Sequence, residues 1–109
     1  MSLRSAIAWL CVLAGAGLAL SACGGGGSSP PANAPPGLRV FDDQSCGSCH
    51  TLAAAKATGT VGPNLDGKSL TPASVEHYVR NGGGGMPSFS GLSDTQIQQV
   101  SDFVANASK

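Results

Sequence analysis

Apolar residues fall into three unlike patterns along this chain. Between residues 6 and 20 they run almost without interruption. Between residues 24 and 36 nothing apolar is larger than alanine or proline. Beyond Gly37 they recur at three- and four-residue intervals among polar positions, the period of a helix with one buried face.

The third pattern predicts the folded elements. Leu38, Val40 and Phe41 predict a short helix over 38–44, with Asp42 and Asp43 facing water. The alanine-rich stretch 53–57 predicts one further helical turn. Gly59, Gly62 and Pro63 interrupt regular structure, and 62–67 reads as a loop. Thr71 is an N-cap, and Pro72 sits at the first helical position, where its missing N–H costs nothing. Val75, Tyr78 and Val79 continue that helix until Asn81 and Gly82 stop it. Ser93 with Gln96 forms a capping box for a last helix over 94–105, whose apolar stripe is Ile97, Val100 and Val104, widened by Phe103. Residues 82–85 are four glycines and predict an irregular, unusually free loop; Pro87 then disfavours helical geometry at Met86. No run reads as a strand. The fold class is all-α, helices joined by long glycine-rich loops.

The first two patterns describe delivery. Arg4 followed by a short apolar run has the form of an export signal. The run falls short of the roughly 20 residues of a membrane span, and an uncleaved anchor is the alternative. Leu20-Ser21-Ala22-Cys23 resembles a bacterial lipoprotein signal. Residues 1–22 would be removed, and the Cys23 thiol would carry the lipid, with further acylation such as palmitate. Cleavage by an ordinary signal peptidase is the competing reading. Residues 23–36 combine flexible Gly and Ser with stiff Pro, a composition that cannot bury a core but suits a tether. One acyl chain binds a bilayer marginally, and two or more hold stably. The domain would sit on the periplasmic or extracellular side of a bacterial membrane.

That leaves residues 37–109 as one domain, a size at which protein contacts alone give marginal stability. Something further should fill its centre. Six Lys and Arg balance six Asp and Glu over 109 residues, and because Arg4 belongs to the leader the remainder carries a formal −1. No cluster of Lys or Arg offers a nucleic-acid surface. Cys11 lies in the leader and Cys23 at the lipid site. Only Cys46 and Cys49 remain, with no spare pair for a structural disulfide. That is unusual for a small exported domain unless a cofactor replaces it.

Cys46-Gly47-Ser48-Cys49-His50 carries the chemistry. C-x-x-C-H is the attachment pattern of haem c. Two thiols three positions apart on a helical turn can each add to one vinyl group, and the adjacent His50 can place a ring nitrogen on iron. Small Gly47 and Ser48 would let the backbone pass close to the porphyrin edge. A thioredoxin-like dithiol would need a βαβ context, which is missing. Zinc could use two Cys and a His, but no second ligand pair stands at finger spacing. A chance match is the remaining rival. Met86, 36 residues after His50, is the one thioether left once Met1 is removed. Thioether ligation favours ferrous iron and raises the potential. The bland reading is a core Met filling space. His77 is the competing ligand, although its place beside Glu76 suits a solvated helix face.

Gly37, Phe41, residues 46–50, Gly62-Pro63-Asn64-Leu65, Met86-Pro87 and the final amphipathic helix occur in an order that resembles a class I cytochrome c, of the small bacterial c6-like type. The resemblance spans nearly all of 37–109. It implies a class I cytochrome c fold wrapped around one covalent haem c per chain. His50 and Met86 would be its two axial iron ligands. The Pro63 carbonyl would fix the His50 ring, and Leu65, Tyr78 and Phe89 would pack on the haem. Gly37 would let the first helix cross the last near Phe103 or Val100. Three features depart from the pattern: the four glycines before Met86, the lack of a Trp to pack near the haem, and the lack of the lysine-rich face of mitochondrial cytochromes c. The only Trp is Trp9, in the leader.

The expectation is a monomeric single-electron carrier, not an enzyme. Its transient partners would be membrane complexes, such as a quinol-oxidising cytochrome complex and a terminal oxidase, in respiration or photosynthesis. Two rivals stay open. One is a haem sensor or peroxidase-like enzyme with a labile sixth ligand. The other is a haem subunit held permanently in a respiratory complex.

Overall fold

The structure, a computed structural model, describes residues 30–109. Residues 1–22, read above as a leader with Cys11, and Cys23, read as a lipid site, lie outside the described residues. Three helices make the frame: α1 (Pro36–Asp43), α2 (Pro72–Asn81) and α3 (Asp94–Ala107). α1 opens on Pro36 and buries Gly37, Val40 and Phe41, one helical face. α2 starts where Thr71 Oγ1 accepts from the Ser74 amide at 3.2 Å, and Gly82 closes it at φ +70°. α3 is held open by a complete capping box: the Ser93 amide donates to Gln96 Oε1 at 2.9 Å, and the Gln96 amide to Ser93 Oγ at 3.1 Å. It runs two residues beyond the predicted end. Ser108 Oγ finishes it, donating to the Ala105 carbonyl at 3.1 Å and accepting from the Leu70 amide at 3.0 Å.

α3 is the hub, packing against both α1 and α2. Its stripe of Ile97, Val100 and Val104 meets Val40, Phe41, Leu52, Ala57 and Val79 in one core. The α1–α3 crossing needs Gly37. A Cβ there would fall on the Gln99 carbonyl oxygen and on Phe103 Cβ. Phe41 and Phe103 then meet edge to face, centroids 6.1 Å apart. Packing begins ahead of α1, within the stretch that reads as tether. Ala34 is only 6% exposed, its amide donates to the Pro31 carbonyl, and the Arg39 guanidinium donates to the Ala32 carbonyl.

Two local expectations need correcting. The first is the absence of strands: the helical turn expected of the alanine stretch is present as a 3₁₀ turn, Ala53–Ala55, but does not stand alone. It is flanked by two-residue strands, β1 (Thr51–Leu52) and β2 (Ala57–Thr58), paired antiparallel with Leu52 opposite Ala57. Lys56 at φ +52° reverses the chain between them. Two residues are too few for a period-2 pattern to register in sequence. Second, residues 82–85 are not free. Gly83 and Met86 exchange both backbone hydrogen bonds, at 3.0 and 2.9 Å. Gly84, at φ +57°, takes the first corner of this two-residue turn.

Candidate functional site

α1 ends at Gln44, and Ser45 turns the chain through a left-handed conformation, φ +57°. Ser48 Oγ donates to the Ser45 carbonyl at 2.6 Å, while the Cys49 and His50 amides both donate to the Cys46 carbonyl. Residues 46–50 therefore wind as one tight helical turn. Cys46, Ser48, Cys49 and His50 all reach the wall of a single cavity of about 840 Å³. Gly47 does not. A Cβ on Gly47 would stand 2.8 Å from Ala57 Cβ, so its smallness admits β2 behind the turn and not a group in front of it. Gly59 packs on the same backbone, its amide donating to the Gly47 carbonyl at 3.1 Å.

The His50 ring is held on two sides. Its Nδ1 lies 2.8 Å from the Pro63 carbonyl oxygen. A carbonyl only accepts, so Nδ1 carries the proton and Nε2 presents a lone pair. Gly62 lies flat against the ring; a Cβ there would come within 2.6 Å of His50 Cε1. The loop that supplies both residues is laced to the motif. The Gly62 amide donates to the Cys49 carbonyl at 2.7 Å and the Leu65 amide to the Thr51 carbonyl at 2.9 Å. The Asp66 carboxylate accepts from the Ala53 amide at 3.0 and 3.2 Å, and Asn64 Oδ1 accepts from the Asp66 amide.

Met86, Leu65, Pro63 and Phe89 line the same cavity. So does Tyr78, which is 52% exposed and stands at the rim, edge-on to His77. His77 itself lies outside this lining. Its Nδ1 faces Asn81 Nδ2 at 3.3 Å on the exposed side of α2. Sequence reading missed part of the wall. Leu70, Val75, Val79, Val100 and Val104 close it from α2, α3 and the loop leading into α2. The helical stripes of Val75 and Val79 carried that signal, but a stripe does not say whether it meets protein or a cofactor.

The environment suits uncharged sulfur. Burial pushes the Cys46 thiol up to about 11, the Asp42 and Cys49 charges add to this, and a hydrogen bond to its own backbone opposes it. A thiolate is disfavoured there, whereas a thiol or thioether carries no charge to desolvate. Among the described residues no three of His, Cys, Asp and Glu converge as a metal site. Two thiols, one imidazole with a free lone pair and one thioether around an apolar cavity of cofactor size fit a covalently held haem.

The family model described as "Cytochrome C oxidase, cbb3-type, subunit III" matches residues 32–104. The chain belongs to this cytochrome c family. Two curated cytochromes are similar to it. The "4-cresol dehydrogenase [hydroxylating] cytochrome c subunit" of Pseudomonas putida is 36% identical over 59% of this chain. The chain spans only about half, 54%, of that subunit's length. Cytochrome c6 of Euglena gracilis is 37% identical over 62% of this chain and 85% of its own. The crystal structure of the c-type cytochrome SorU from Sinorhizobium meliloti superposes with a TM-score of 0.63 at 38% identity, covering 67% of this chain and 87% of that one. The domain has the class I cytochrome c fold. These relationships support a general electron-transfer role for the domain.

Proposed function

We propose that this cytochrome is a single-electron carrier in which one haem c would be held by Cys46 and Cys49, with His50 and Met86 as its iron ligands. The observation that supports it is the gathering of Cys46, Cys49, His50 and Met86 around one apolar cavity. Haem held there supplies an iron that alternates between ferric and ferrous states. Cys46 and Cys49 would hold the group through thioethers, and burial around Cys46 penalises its thiolate. His50 offers Nε2 because Pro63 and Gly62 fix its tautomer and ring plane. Leu65, Phe89, Val75 and Val100 keep water from the site. A ligand fixed in this way reorganises little between redox states.

Delivery completes the proposal. Residues 1–22 serve as the export signal, Cys23 carries the lipid, and the tether keeps the domain near its membrane partners at high effective concentration. Among the described residues no helix is long and apolar enough to cross a membrane. The partners we propose are a quinol-oxidising complex and a terminal oxidase, met in weak, transient contacts. A second reading has specific support. The matched family is described as an oxidase subunit, and one relative is the cytochrome subunit of a dehydrogenase. The same domain could therefore be a resident subunit that relays electrons inside such a complex.

Visible spectra of the loaded, full-length protein test the ligand set. A weak far-red sulfur-to-iron band in the oxidised form, with no response of the reduced form to carbon monoxide, is expected. Loss of that band with rapid gas binding would move the assignment to a sensor or enzyme with a labile sixth site. Size-exclusion of detergent-solubilised membranes then separates a free carrier from a resident subunit.

A further inference from the structure

An α-helix leaves its last four carbonyls without helical partners. In α2 these belong to Tyr78, Val79, Arg80 and Asn81. Gly82 satisfies the first, its amide donating to the Tyr78 carbonyl at 2.7 Å. The next two are satisfied by the segment just beyond Met86. The Phe89 amide donates to the Val79 carbonyl at 2.9 Å, and Ser88 Oγ donates to the Arg80 carbonyl at 2.6 Å. The Met86 segment thus serves as the C-cap of α2. Two of these three bonds are backbone bonds that any sequence could make. The third depends on one side chain, two residues from Met86.

The Arg80 side chain closes the same loop by a weaker route. Its guanidinium pairs with Glu76 at 2.8 Å and with Asp94, at the start of α3, at 2.9 Å. Asp94 is 90% exposed, and exposed pairs contribute little. The Ser88 hydroxyl bond is also exposed, but it is short and satisfies a carbonyl that the helix leaves without a partner, so it is the better candidate for holding the segment.

We propose that Ser88 is a positioning residue for Met86, a latch that keeps the thioether-bearing turn docked on α2. The inference rests on the reading of Met86 as an axial ligand. Opening the latch frees the Arg80 carbonyl and lets the 83–88 turn swing away, so an exogenous ligand can take the place of Met86. A net hydrogen bond of ordinary strength corresponds to roughly a fivefold to tenfold change in that equilibrium.

The test uses the loaded full-length protein and imidazole as the probe of the ferric form. Ser88→Ala should bind imidazole about fivefold to tenfold more tightly and weaken the far-red band, and Ser88→Thr, which keeps a hydroxyl, should stay near wild type. Thr71→Ala removes the cap at the other end of α2. It should lower the urea midpoint comparably while leaving imidazole affinity unchanged. If Ser88→Ala behaves as Thr71→Ala does, the latch is refuted and Ser88 is merely structural. Met86→Ala separates that failure from a failure of the ligand reading. A far-red band that is missing in wild type, or that survives Met86→Ala, overturns the Met86 assignment and the latch with it.

Discussion

The two sides of the cavity are built on different principles. On the His50 side, residues 46–66 fold back on themselves, and backbone, carboxylate and ring contacts all fix one side chain. On the Met86 side, a glycine turn projects from the end of α2. A Cβ on Gly84 or Gly85 would meet nothing within 4 Å. Contacts over-determine the histidine, whereas the methionine depends on turn geometry and a few hydrogen bonds. On the proposal that both side chains ligate iron, loss of a ligand should begin at Met86.

The sharpest way to break the contrast is to loosen the His50 side. Gly62→Ala places a methyl group against the imidazole, where a Cβ would lie 2.6 Å from Cε1 and 2.9 Å from Nδ1. Neither neighbour can yield, since the ring is pinned by Pro63. We expect a loss of about 2–3 kcal/mol in urea unfolding, the cost of overpacking, and a disturbed haem spectrum. A Gly62→Ala protein with wild-type stability and spectrum would mean that the loop is more compliant than its hydrogen bonds imply. Asp66→Ala acts one step further out. It removes the carboxylate that accepts the Ala53 amide and leaves the loop's end untied. The expected loss is about 1–2 kcal/mol, with faster hydrogen exchange at Ala53 as the local signature.

Neighbouring glycines sharpen the contrast on the Met86 side. Gly84 stands at φ +57° and Gly85 does not have a positive φ, yet both face open space. Alanine at 84 should cost about 1 kcal/mol through backbone strain alone. Alanine at 85 should gain about 0.5 kcal/mol by restricting the unfolded chain. Urea midpoints of the two variants should thus shift in opposite directions. Equal shifts would show that the turn does not persist in solution.

The difference between the two sides also decides what could be read from sequence. C-x-x-C-H, Thr71-Pro72, and Ser93 with Gln96 are local signals, in which each residue's role follows from neighbours within four positions. The elements they mark appear where expected, and α3 extends by only two residues. The Gly37 crossing was legible through the family resemblance, because a glycine on a buried helix face needs a reason. What stayed hidden depends on distant partners. Ser108 joins α3 to Leu70 across 38 residues, and Asp66 reaches Ala53 across 13. Ser88 caps a helix that ended seven residues earlier. Four glycines read as freedom because composition cannot show the reciprocal pair of hydrogen bonds that closes their turn. Gly47 carries a constraint of the same distant kind: a Cβ there would meet Ala57 Cβ at 2.8 Å.

The smallest effect lies at the entrance to the His50 side. Asp42 and Asp43 occupy the last turn of α1, where no basic residue is present and the helix macrodipole disfavours negative charge. Burial, and then the Asp43 charge, raise the Asp42 carboxyl above its ordinary value. The folded state therefore holds the Asp42 proton more tightly than the unfolded chain does. Below the unfolded value, roughly 3.9, both states are protonated and this group costs nothing. As pH rises through that value toward the raised folded one, the unfolded chain releases its proton first. Stability falls across that interval and then levels off. Asp42→Asn should remove the loss, gaining at most about 0.5 kcal/mol at pH 7 after solvent screening and nothing at pH 3. Urea unfolding at both values checks it. An equal gain at both would trace the effect to packing and not to charge. A gain confined to neutral pH would show that α1 tolerates an unfavourable charge in its last turn, immediately before the C-x-x-C-H turn.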